Sequence, residues 1–135
     1  MVTWGLMLAA LSAGAVSLDC GASIEDAVGS AAPGSVVRLA ADCAYAGPLT
    51  LRPTAPVVLE GTPGARIVGG LIVEGAGALT LRALTVDAEV VALTHVGEGA
   101  LTLDRVTLRG GTGLHVESAA RVRIRDSRLR GVDTG

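Results

Sequence analysis

The side chains best able to carry chemistry gather in the second half of the chain. Arg121, Arg123, Arg125, Arg128 and Arg130 place five guanidinium groups within ten residues, and a two-residue alternation aims the first three at one face. Such a face can hold an acidic glycan or a phosphate-rich surface through its field. The alternative is a solvated face paired with acids on a following repeat. Asp104 has Arg105 beside it, Arg82 one repeat before it and Arg125 one repeat after it. That set reads either as a ladder of alternating charge or as a small site in which Asp104 is the lone carboxylate. Calcium takes six to eight oxygens, so one carboxylate is far from a calcium site. His95 and His115 lack a third ligand and are read as surface or partly buried residues rather than a metal centre. No phosphate loop, dinucleotide fingerprint, nucleophile elbow or zinc spacing occurs, and no cofactor or metal is expected.

The rest of the composition narrows the partners. The 135 residues carry 11 basic and 13 acidic side chains for a net charge of -2, which excludes nucleic acid as a partner on bulk electrostatics. Trp4 and Tyr45 are the only aromatic residues besides the histidines, so there is no aromatic binding platform. Residues 1–17 have an apolar stretch around Trp4, Leu6, Leu8 and Leu11 that gives way to small residues, which reads as a signal peptide cleaved after Ala15 or Ser17. The run is shorter than the roughly 20 apolar residues of a membrane span, so no membrane association is expected after cleavage. Cys20 and Cys43 are the whole cysteine complement, and an even count behind an export signal reads as one disulfide; two buried thiols are the alternative. The expected location is secreted, cell-surface or periplasmic.

These residues have to be positioned by a repeating scaffold. Ser23-Ile24-Glu25-Asp26 has the form of a capping box and opens a helix whose Ile24, Ala27, Val28 and Ala31 make one apolar face, stopped by Pro33-Gly34. Short strands follow at Val36–Leu39, Pro48–Leu51 and Val57–Leu59. From residue 70 the chain is three copies of one unit: GALTLRALTV at 77–86 returns as GALTLDRVTL at 99–108 and as ARVRIRDSRL at 120–129. A period of 21 to 22 residues with internal alternation indicates a solenoid. Its inward columns are Leu79/Leu101/Val122, Leu81/Leu103/Ile124, Leu84/Val106/Ser127 and Val86/Leu108/Leu129. Thr80/Thr102/Arg123 and Thr85/Thr107/Arg128 point outward. Arg105 stacks with Asp126, and Asp87 lies in register with Arg109 and Arg130. Gly110 and Gly131, with Ala88 in the first copy, are expected to supply the corner with positive φ.

The capping helix, Pro-Gly turn and first strand of Ser23–Leu39, together with the coil length, resemble the right-handed parallel β-helix, or pectin-lyase-like, superfamily over about residues 20–135. The resemblance implies an all-β right-handed solenoid, with a capping segment at 18–34 and coils over 35–135 that are incomplete at the C-terminus. It implies that a catalytic site, if present, would use Asp104 with Arg82, Arg105 and Arg125, one Arg acting as base beside a uronate. The expected function is an exported, non-catalytic module for display or binding, toward acidic polysaccharide or a cell-surface glycan through Arg121, Arg123 and Arg125. The alternative is the N-terminal part of a polysaccharide lyase or glycoside hydrolase. Only five residues follow Arg130, so the row Leu114, Val116, Val122, Ile124 and Leu129 is expected to form an open edge prone to end-to-end self-association.

Overall fold

A computed structural model describes residues 14–117, 121–129 and 132–134. They form an all-parallel β-solenoid of five coils, each coil contributing one strand to each of three sheets. Coil 1 holds β2 (Ser35–Leu39), β3 (Ala44–Ala46) and β4 (Leu49–Leu51); coil 2 holds β5 (Val57–Glu60), β6 (Arg66–Val68) and β7 (Leu71–Val73). Coil 3 holds β8 (Leu79–Arg82), β9 (Thr85–Asp87) and β10 (Val91–His95), and coil 4 holds β11 (Leu101–Asp104), β12 (Thr107–Arg109) and β13 (Thr112–Val116). Coil 5 holds β14 (Val122–Arg125), β15 (Arg128–Leu129) and β16 (Val132–Thr134). A further strand, β1 (Ala15–Leu18), pairs with β2, so the first sheet has six strands and the other two have five. The expected leader falls largely outside the described residues, and its last residues, Ala15 to Ser17, lie in β1.

The inward columns make the core. Val37, Leu59, Leu81 and Leu103 stack in strict register and are buried, as are Val57, Leu79 and Leu101 beside them. In the second sheet Tyr45, Ile67, Val86 and Leu108 do the same, and in the third Leu71, Leu93 and Leu114, stacked on the half-buried Leu49. Each fully buried Leu or Ile contributes roughly 1.5–3 kcal/mol of transfer free energy, an upper bound because unfolded chains already bury some surface.

In coils 3 and 4 the left-handed residue lies not at the expected corner, between the second and third sheets, but at the one between the first and second. The left-handed backbone lies at Asp42, Gly64, Ala83, Arg105 and Asp126, each followed by a residue that turns inward: Cys43, Ala65, Leu84, Val106 and Ser127. Gly110 has no positive φ and Ala88 none either; Gly131 lies outside the described residues. What Gly110 supplies is room, since a Cβ there would sit 3.2 Å from the Ala88 carbonyl oxygen. Ser127 interrupts its apolar column because its hydroxyl accepts from the Val106 N–H at 3.0 Å and donates to the Arg125 carbonyl at 2.8 Å. The residue thus exchanges burial for two hydrogen bonds, one within its own corner and one from the preceding coil.

The N-terminal end is covered by α1 (Ile24–Gly29), shorter than the expected run to Ala32. Ser23 caps it by accepting from the Asp26 N–H at 3.1 Å, and Ile24 and Val28 are buried on the core. Glu25 accepts from the Thr50 N–H at 2.7 Å, satisfying a donor on the outer strand β4. Cys20 and Cys43 form a disulfide with Cα atoms 5.6 Å apart. The Tyr45 hydroxyl completes the fastening: it accepts from the Ala40 N–H and lies 3.2 Å and 3.3 Å from the carbonyls of Leu18 and Asp19. At the other end, the expected open row is smaller. β16 pairs with β13, so Leu114 and Val116 are buried, whereas Val122 and Leu129 are half-buried and Ile124 is 43% exposed.

Thiol titration of the denatured, unreduced chain is expected to find no free thiol, and Cys20→Ser with Cys43→Ser to cost about 3 kcal/mol on the chain-entropy model; two titratable thiols would refute the link. Gly61 is a sharper test of coil spacing, because a Cβ there would overlap the Ala83 carbonyl. Gly61→Ala is expected to cost about 1–3 kcal/mol in urea unfolding. Gly29→Ala, where no atom lies within 4 Å, serves as the neutral or stabilising control.

Candidate functional site

Stacking in register decides what Asp104 can do. In-register positions near the ends of β2, β5, β8, β11 and β14 form one outward column: Arg38, Glu60, Arg82, Asp104 and Arg125. Parallel neighbours lie about 4.8 Å apart, a spacing at which like charges repel and opposite charges attract, and the signs alternate without exception. Arg38 Nε donates to Glu60 Oε1 at 2.8 Å, and Arg82 reaches Glu60 at 3.5 Å and Asp104 at 4.0 Å. Arg105 approaches Asp104 at 3.7 Å. The expected grouping of Asp104 with Arg82, Arg105 and Arg125 is therefore brought together, as the middle of a longer ladder whose first two members, Arg38 and Glu60, were not read from the sequence. Arg105 and Asp126 occupy equivalent left-handed corner positions.

Glu60 is the best-held member. Its hydrogen bond from Arg38 holds the carboxyl below the ordinary carboxylate range, burial works against this, and the charge of Arg38 and the contact from Arg82 add to it. Elsewhere Arg52 Nε donates to Glu74 at 2.7 Å, and Arg109 faces Asp87 at 3.6 Å, in the register expected. Arg130 lies outside the described residues.

Arg121, Arg123 and Arg125 are exposed on and before β14. Arg123 continues the outward column Val58, Thr80 and Thr102, which contains no carboxylate. The histidines separate into adjacent columns. His95 turns inward, stacked between Val73 and Val116 and 1% exposed, with Nε2 2.8 Å from the Gly99 carbonyl, so Nε2 carries the proton. His115 is in register with Thr94 and meets Glu117 at 3.2 Å. Among the described residues no three His, Cys, Asp or Glu side chains group closely enough to hold a metal ion.

One feature escaped the sequence reading. A groove of about 420 Å³ runs along the corner between the first and second sheets, lined by the turn Gly61–Ala65 and by Arg66, Asp87, Arg105 and Arg109. It exists because coil 2 spends five residues on this corner while coils 3 and 4 spend two, Ala83-Leu84 and Arg105-Val106. The signal was available as an offset: Arg66 pairs with Thr85, 19 residues on, where neighbouring registers run at 22.

With this geometry in hand, no protein-family model, no curated protein and no solved structure matches the chain.

The depressed Glu60 carboxyl contributes stability that is present above its unfolded value near pH 4.5 and is lost as pH falls through the lower, folded value. Glu60→Gln is expected to cost about 0.5–1 kcal/mol at pH 7 and to flatten the acid limb of a stability profile below about pH 5. An unaltered acid limb would show that the ladder stores no such free energy.

Proposed function

We propose that the chain is an exported right-handed β-helix of the pectin-lyase-like kind, serving as a non-catalytic module for binding or display, with acidic glycans as its partner class. The observation that supports this most is the outer face of β14, where Arg121, Arg123 and Arg125 are exposed and Arg123 stands over Thr102 rather than over a carboxylate. A guanidinium so placed keeps its donors for a ligand. The disulfide fits an oxidising compartment, in keeping with export. End-to-end association belongs to the same reading, supported by the exposed Ile124 on β14. A lyase role finds less support, because Asp104 already has its charge matched by Arg82 and Arg105, and among the described residues it belongs to no group of three His, Cys, Asp or Glu that could hold a metal ion.

Retention on immobilised polyuronate is expected to fall as salt rises, in keeping with screening over about 10 Å at 0.1 M. Replacing Arg121, Arg123 and Arg125 with Ser is expected to abolish retention without lowering the melting temperature. The same protein given polyuronate and calcium is expected to release no unsaturated uronide. Equal retention of the triple variant, or turnover lost in Asp104→Ala, contradicts the proposal.

A further inference from the structure

We propose that the corner groove is a second, separate binding site, for a sulfate or phosphate ester on a sugar-sized molecule. It does not depend on the β14 face. The groove is a built cleft rather than a bare surface patch. Its wall, Gly61–Ala65, is tied to coil 1 by Thr62 Oγ1 donating to the Leu39 carbonyl at 2.9 Å and by the Asp42 N–H donating to the Pro63 carbonyl at 3.1 Å. The wall also closes on itself, the Ala65 N–H donating to the Thr62 carbonyl at 3.0 Å. Its floor is formed by the tight corner Ala83-Leu84 with Thr85. A wall and floor already ordered before a ligand arrives need not be ordered by it, which is how preorganised sites gain affinity. The volume of about 420 Å³ lies within the range of small-ligand clefts.

The chemistry follows from how loosely the arginines here are held. On the ladder and at the third sheet, Arg38 and Arg52 make hydrogen-bonded ion pairs at 2.8 Å and 2.7 Å. In the groove, Arg109 and Arg105 stand 3.6 Å and 3.7 Å from their carboxylates, beyond hydrogen-bond distance. Arg66 has Ala44 and Thr85 as its register neighbours and no carboxylate within 4.0 Å among the described residues. Three guanidinium groups face one lining carboxylate, Asp87, with Asp104 beside Arg105 and the Asp42 carboxylate against Gly64 of the wall. A phosphate monoester carries close to two negative charges and three strong acceptor oxygens, and a sulfate ester the same tetrahedral array, which suits several guanidinium forks better than a planar carboxylate.

The test titrates the whole chain with glucose 6-phosphate, glucose 6-sulfate and glucuronate, following amide resonances and heat. Saturable binding of either ester is expected, at least tenfold tighter than glucuronate, with shifts confined to residues 61–66, 83–87 and 105–109; which ester binds tighter separates phosphate from sulfate. Arg66→Ser with Arg109→Ser is expected to weaken it at least tenfold, and Arg123→Ser to leave it unchanged. The shift map of the unmodified chain decides the matter should the double variant fail to fold. No saturable binding of either ester, shifts at 121–125 instead, equal binding by a folded double variant, or a preference for glucuronate would overturn the assignment. Loss of polyuronate retention with ester binding intact would leave the groove standing and remove the β14 reading alone.

Discussion

A coil of this chain has no core of its own. Leu59, Leu81 and Leu103 are buried only because each lies over its counterpart in the next coil, and each strand satisfies its backbone groups only through the coils above and below. Register is therefore the constraint on which the rest depends. A slip of one residue would carry the leucines outward and the threonines and arginines inward along a whole strand. The fixed spacing of about 4.8 Å between parallel strands also makes identical neighbours unavoidable partners, which is tolerable for Leu on Leu and costly for Arg on Arg.

The charged columns answer that cost. Along Arg38, Glu60, Arg82, Asp104 and Arg125 each charge meets its opposite, and Asp87 meets Arg109 on the next face. The same logic explains why an acid beside three arginines, which as a linear sequence suggests a catalytic grouping, is first a consequence of stacking. Binding sites on such a scaffold arise where the repeat is broken. The corner groove comes from a turn three residues longer in coil 2 than in coil 3, and the arginine face comes from the replacement of outward Thr102 by Arg123 in coil 5.

Coils 3 to 5 were legible because their corners between the first and second sheets are of one length, two residues, which keeps GALTLRALTV and its copies in phase. Coils 1 and 2 read as separate strands, since their corners of four and five residues shift the second sheet against the first and hide the shared column. Arg38 and Glu60 were lost to the ladder for that reason. The left-handed corner was sought at glycines, where such backbone costs least, but lies at Ala83, Arg105 and Asp126, where burial of Leu84 and Val106 outweighs a strain of roughly 1–2 kcal/mol each. The capping helix, the disulfide pair and the outward threonines were readable because each rests on local chemistry or on alternation. The groove was not, since its arginines come from residues 66, 105 and 109 and only register brings them to one corner.

Register itself can be measured as a length. Spin labels at Val36 and Arg123, which share one outward column four strand spacings apart, are expected to give a narrow distance distribution centred near about 19 Å plus the label arms. Labels at Val58 and Arg123, three spacings apart, are expected to read about 5 Å less. Equal or broad distributions for the two pairs would contradict in-register stacking, and with it the ladder, the groove and the arginine face that follow from it.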